Sequence, residues 1–198
     1  MNHYCVFTTF ECNWNCPYCY CDTHSKSRTF EDVMNQLLVI EDGSTVTLTG
    51  GEPGLLTTEQ LMTIIKHLRD KGCHVDVNTN GEIFKHEEVI GEVDDILYHC
   101  SINMDIDDVI NRDYMDRVDY LVVVTDNNIH NLQPFLEKHD EIDFKIIPAR
   151  RAGGIKGGDC LSKKNILTLV KKYRDRLTQE NLSLMLDFCG CEERYKVL

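Results

Sequence analysis

Short runs rich in β-branched residues alternate along this chain with longer segments in which apolar positions recur every three or four residues. The first kind predicts strands at residues 3–10 ("HYCVFTTF"), 44–50 ("STVTLTG"), 74–80 ("HVDVNTN"), 96–104 ("ILYHCSINM"), 120–125 ("YLVVVT") and 144–149 ("FKIIPA"). The second predicts helices at 30–41, 58–71, 86–93, 107–117, 130–139 and 163–176. Thr57-Thr58-Glu59-Gln60 has the form of a capping box opening the second helix, and Gly72 is placed to stop it. Six βα units in sequence are the signature of an α/β fold with a mostly parallel sheet. Periodicity alone fits either an open doubly wound sheet or a partial (β/α)6 TIM-like barrel, and in both the functional loops gather at the C-terminal edge of the strands.

Composition narrows the partners. With 198 residues the chain is sized for one compact domain. Its 33 acidic residues against 21 basic ones give a net charge of -12, so extended nucleic acid is an unexpected partner. The start, "MNHYCVFTTF", has no basic stretch leading into a long apolar run, and runs such as "YLVVV" are too short to cross a bilayer. The expectation is a cytoplasmic protein without a membrane span. In a reducing cytosol ten cysteines are poor disulfide partners, so their clustering points to metal or redox chemistry.

Four of those cysteines, Cys12, Cys16, Cys19 and Cys21, stand in "FECNWNCPYCYCD", directly after the first predicted strand. Structural zinc sites usually draw two ligand pairs from either side of a longer loop, and this segment supplies one side; the late pair Cys189 and Cys191 could complete such a site. The stronger pattern is Cys12-x3-Cys16-x2-Cys19, three thiolates with no fourth at a standard spacing. Three ligands on a four-iron cluster leave one iron open. At the end of the second strand stands "TLTGGEP", whose glycines allow close backbone approach and whose Glu52 can meet an ammonium group.

Together, "CNWNCPYC" and "TLTGGEP" resemble the radical S-adenosylmethionine (SAM) superfamily, over roughly residues 5 to 177. The resemblance implies a partial (β/α)6 barrel, with residues 1–180 as its core and 181–198 as a short C-terminal extension. It implies a 4Fe-4S cluster on Cys12, Cys16 and Cys19, with Tyr18 packed near the adenine of SAM. Gly50, Gly51, Glu52 and Pro53 match the motif that binds the methionine amino group. Asn80, in the "NTNG" ending the third strand, and Ser101 and Asn103, in "SINMD", are further SAM-contact candidates. Arg150 and Arg151 in "KIIPARRAGG" are candidates to meet a carboxylate, although adjacent arginines also suit a solvated loop. The chemistry implied is reductive cleavage of SAM to methionine and a 5'-deoxyadenosyl radical that takes hydrogen from a peptide, protein or small-molecule substrate. An electron donor such as flavodoxin or ferredoxin is implied as well.

Cys21, Cys160, Cys189 and Cys191 fall outside the three-cysteine motif. If residues 182–188 run back as an extended segment, "CGC" joins Cys21 and Cys160 at one edge, as the ligands of a second, auxiliary iron-sulfur cluster; ordinary packed thiols are the alternative. Cys5, Cys73 and Cys100 lie in or beside strands and read as core residues. The opening motif and the late "PARRAGG…DFCGCEERYKVL" are similar to the SPASM and twitch subgroup, which modifies peptides, but a full SPASM extension is lacking. Two other readings of the same residues are a glycyl-radical-enzyme activase and a zinc-binding interaction module.

Overall fold

The computed structural model describes residues 2–19, 21, 28–102, 106, 115–149 and 160–177. Six strands appear: β1 (His3–Thr9), β2 (Thr45–Gly50), β3 (His74–Thr79), β4 (Asp95–Cys100), β5 (Val118–Val124) and β6 (Lys145–Pro148). Among the described residues five α-helices accompany them: α1 (Phe30–Leu37), α2 (Thr58–Asp70), α3 (Glu87–Glu92), α4 (Leu132–Lys138) and α5 (Lys163–Tyr173). The sheet order is β1-β2-β3-β4-β5-β6, and the described pairings are parallel. A doubly wound sheet reverses its order at a switch point, whereas a β/α barrel adds each strand beside the last. The sequential order therefore selects the barrel-type winding that periodicity could not distinguish.

The chain divides into two compact units, the first Met1–Asn15, Cys21–His99 and Asp105–Asp119, the second Cys16–Tyr20, Cys100–Met104 and Tyr120–Leu198. In the first, alternate residues of the strands form one apolar face: Val6 of β1, Val46 and Leu48 of β2, Val75 and Val77 of β3, and Ile96 and Tyr98 of β4 are all buried. The strand period of two puts them on the same side. Buried stripes of α1 (Val33, Leu37) and α2 (Leu61, Ile64, Ile65, Leu68) complete this core. Cys5 belongs to the other face of β1 and is exposed, so the expectation of a core thiol fails there by one step of the alternation. Cys73 and Cys100 are buried as expected.

The capping box at Thr57 forms in both directions, Gln60 N–H donating to Thr57 Oγ1 at 3.2 Å and Thr57 N–H to Gln60 Oε1 at 3.1 Å. Beyond α2, Gly72 takes a left-handed φ of 67° that a side chain would resist. Helix α1 stops at Leu37 instead of residue 41, because the next turn tightens to bonds such as Leu38 N–H to Asn35 O and Ile40 N–H to Leu37 O. β4 ends at Cys100, short of the predicted residue 104. Of the helix expected at 107–117, residues 107–114 lie outside the described residues, and Met115–Arg117 form a 3-10 turn.

In the second unit β5 and β6 carry Val122, Val124 and Ile146 into a core closed by aromatic contacts. Phe144 stands 5.0 Å from Phe135 of α4 and 5.8 Å from Tyr120, edge-on to the latter.

His99 occupies the β4 face opposite Tyr98 and is half-buried, and desolvation alone holds its imidazole down to about 4 from the usual 6.5. Between those values the unfolded chain binds a proton that the folded chain does not. Stability from this residue is therefore complete above about 6.5 and is lost as pH falls toward 4. Denaturant titrations at pH 7 and pH 4 are expected to show the native chain losing up to about 3 kcal/mol more than His99→Gln; equal losses would contradict a desolvated, neutral imidazole.

Candidate active site at the C-terminal edge of the strands

At the end of β1 the parallel register slips: Phe7 faces Thr49, and Thr9 faces Gly50, so two steps on β1 meet one on β2. This bulge turns the chain out of the sheet and into the cysteine segment. Gly50, with φ 131°, and Gly51 follow on the partner strand. A Cβ on Gly50 would lie 2.3 Å from Thr9 O, and one on Gly51 would lie 2.0 Å from Glu11 O. In place of those side chains, Gly51 N–H donates to Thr9 O at 2.8 Å and Glu52 N–H to Glu11 O at 2.7 Å. The two glycines thus let the end of β2 lie against the backbone that leads to Cys12.

Glu52 is 1% exposed. Its Oε1 accepts from Gly54 N–H at 2.9 Å and from Thr79 Oγ1 at 2.6 Å, while Oε2 accepts from Asn80 N–H at 2.7 Å. Burial raises its carboxyl above the usual range, and those three donors pull the other way without cancelling it. One carboxylate thereby joins the ends of β2 and β3, and Pro53 starts the short 3-10 turn Pro53–Leu55 beneath it.

Asn80 extends the connection. Its amide nitrogen donates to Asn13 Oδ1 at 2.8 Å and to Cys12 Sγ at 3.7 Å. Trp14 N–H also donates to Cys12 Sγ, at 3.4 Å. Asn13 in turn donates to Glu82 Oε1 at 2.9 Å. Cys21 sits close by, its thiol donating to Gly50 O at 2.9 Å.

In the second unit Cys16, Tyr18 and Cys19 form one turn, closed by Cys19 N–H donating to Cys16 O at 3.1 Å. The Tyr18 phenol is pushed well up, first by burial and then by the charge of, and a hydrogen bond to, Cys16, with Cys19 adding to it. Tyr18 therefore stays protonated beside two sulfurs. Ser101 follows β4 and is half-buried. Cys160 lies where expected after β6: its carbonyl accepts from Asp126 N–H, beyond β5, and Leu161 N–H donates to Ala149 O. Asn103, Arg150, Arg151, Cys189, Cys191 and residues 182–188 lie outside the described residues.

Two participants were not anticipated from sequence. Asn13 carries its signal only as a polar residue inside the cysteine loop, and Thr79 only as the neighbour of the "NG" turn. Their roles depend on the ends of β1, β2 and β3 being adjacent.

The donor set suits a soft metal group. Thiolates select iron-sulfur clusters or zinc, and ligand sulfurs are commonly held and tuned by N–H donors, as Cys12 is. The sequence profile described as "Radical SAM superfamily" matches residues 6–126, more than half of the chain. The chain belongs to the radical SAM superfamily. Membership implies an enzyme built to use SAM and an iron-sulfur cluster.

Two curated relatives come from Methanocaldococcus jannaschii. "Uncharacterized protein MJ0804" is 36% identical over 96 residues, 48% of this chain and 31% of its own length. "Putative glycyl-radical enzyme activating enzyme MJ1632" is 30% identical over 92 residues, 44% of this chain and 35% of its own. The matches thus span about a third of either relative.

Among solved structures, anSMEcpe with bound AdoMet matches with a TM-score of 0.62 at 18% identity, covering 87% of this chain and 58% of that one. The complex of anSMEcpe with AdoMet and the Cp18Cys peptide gives 0.61 at 16%, over 92% and 61%. Streptococcus suis SuiB bound to S-adenosylmethionine gives 0.55 at 16%, over 87% and 46%. At such identities the likeness is one of fold, and it agrees with the sequential parallel winding. Among the described residues no helix is long and apolar enough to cross a membrane.

Proposed function

We propose that this chain is a radical SAM enzyme in which Cys12, Cys16 and Cys19 hold a 4Fe-4S cluster and the Gly50–Pro53 segment binds SAM. The observation that carries the reading is the tie from Glu52 through Asn80 to the Cys12 sulfur, which fixes the SAM-motif segment against the first cluster thiol. When bound, cluster and SAM supply the electron transfer and the radical that removes a substrate hydrogen.

The chain's own residues position and shield. Glu52, nearly inaccessible and already accepting three chain donors, acts as a positioning residue that sets the backbone of Gly50 to Pro53. Tyr18, protonated and half-buried beside Cys16, presents an aromatic face for an adenine and limits water near the sulfurs. Ser101, which follows β4, and Asn103, both in "SINMD", are candidates for further SAM contacts. Residues 1–180 form the catalytic core in this reading, with 181–198 as an extension whose Cys189 and Cys191, with Cys21 and Cys160, are candidates for a second cluster.

A peptide or protein is the favoured substrate class, since the structures of anSMEcpe and SuiB were solved with the Cp18Cys and SuiA peptides. A second reading, activation of a glycyl-radical enzyme, is favoured by the 30% identical relative that bears that name. Both need a one-electron donor of the flavodoxin or ferredoxin kind, and both suit the cytoplasm. Anaerobic loading tests the metal assignment. Iron and inorganic sulfide bound in a brown protein are expected, whereas a colourless protein holding stoichiometric zinc would overturn the proposal in favour of a zinc module.

A further inference from the structure

The side chain of Asn80 directs both amide hydrogens and its carbonyl oxygen to partners at one place. One amide hydrogen goes to Asn13 Oδ1 at 2.8 Å, the nitrogen also reaches Cys12 Sγ at 3.7 Å, and Oδ1 accepts from Glu82 N–H at 3.4 Å. Its backbone N–H is held by Glu52 Oε2 at 2.7 Å. Asn13 is clamped from its far side through Glu82, which is itself paired with Lys85 at 2.5 Å. The amide is therefore fixed both ahead of the Cys12 sulfur and behind it.

An N–H dipole aimed at a sulfur stabilises negative charge there. When a cluster held by that sulfur takes up an electron, the charge on its thiolates grows, so the hydrogen bond favours the reduced form over the oxidised one. Trp14 N–H makes the same kind of bond from the backbone, where a side-chain substitution cannot remove it. Asn80 joins the two, its backbone N–H held by the Glu52 carboxylate and its side-chain amide donating to the sulfur.

We infer that Asn80 is a positioning residue that raises the reduction potential of the group held by Cys12, through its N–H···S hydrogen bond and the Glu52 and Asn13 contacts that aim it. The inference rests on the cluster reading proposed above. A merely structural asparagine would alter folding or loading; a tuning one alters the potential of a cluster that still loads.

The test is an anaerobic redox titration, followed by visible absorbance and electron paramagnetic resonance, of the loaded native protein, Asn80→Ala and Asn80→Asp. The aspartate keeps an acceptor for Glu82 N–H and substitutes an anion for the donor, so it serves even where alanine loosens the turn. Both variants are expected to bind iron and sulfide as the native chain does and to titrate at more negative potentials, the aspartate lowest. Potentials equal to the native value would overturn the inference while leaving the cluster assignment standing. A native chain that binds no iron would overturn the cluster assignment, and the inference with it.

Discussion

Cys16→Ala is expected to leave a folded chain that neither retains its iron-sulfur cluster nor cleaves SAM, with activity down by more than the about 10- to 100-fold that loss of a ligand's supporting partner costs. Cys16 is half-buried on a turn whose closing bond runs from Cys19 N–H to the Cys16 carbonyl, a backbone contact that alanine keeps. Alanine does remove the Tyr18–Cys16 hydrogen bond, so the unloaded chain should lose about 1 kcal/mol. On the proposed assignment, what disappears is one of three thiolates in a set already one short of a full four-thiolate shell. Iron and sulfide counts and 5'-deoxyadenosine release, measured on native and variant protein loaded side by side, check the prediction; full retention of either would remove Cys16 from the ligand set.

Gly51→Ala is expected to give the largest loss of stability among the substitutions considered. The new Cβ would stand 2.0 Å from Glu11 O, 2.6 Å from Glu11 C and 2.8 Å from Phe10 C. All three are backbone atoms, so no rotamer change relieves the overlap and the segment has to move. Moving it stretches the Gly51 N–H to Thr9 O and Glu52 N–H to Glu11 O bonds together. Overpacking costs about 1–3 kcal/mol and each lost bond about 1 kcal/mol, for a total of about 3–5 kcal/mol. Denaturant midpoints measure it. A loss under about 1 kcal/mol would mean that β2 need not approach the cysteine loop so closely.

The strands and helices were legible because local rules decide them, whereas the choice between an open sheet and a barrel winding needed the strand order. Among the described residues, alternation and 3.6-residue spacing located the six strands and five helices, and the capping box at Thr57 fixed the start of α2. Where the reading strayed, a tertiary choice overrode the local one. Leu38 and Val39 continue the apolar pattern of α1, yet the chain leaves the α-helix there and both side chains are exposed. Cys5 is an apolar-looking strand residue on the uncovered face.

The same distinction runs through the site. Spacing identified Cys12, Cys16 and Cys19 as a set, and the Gly-Gly-Glu-Pro match singled out residues 50–53. It suggested that the glycines admit a ligand and that the Glu52 carboxylate meets an ammonium. The structure also brings the β1 backbone up to those glycines and supplies the carboxylate with donors from Gly54, Thr79 and Asn80. Such partners are distant in sequence and become neighbours only through the parallel pairing of β1, β2 and β3, so no local motif could name Asn13 or Thr79.

Reductive cleavage of SAM at the three-thiolate site is the activity expected of this chain when it is loaded with iron and sulfide. Its most direct test is product analysis of the loaded native protein incubated anaerobically with SAM and dithionite. The account predicts 5'-deoxyadenosine and methionine in equal amounts, formed only when both reductant and cluster are present; intact SAM after reduction of a fully loaded cluster would contradict it.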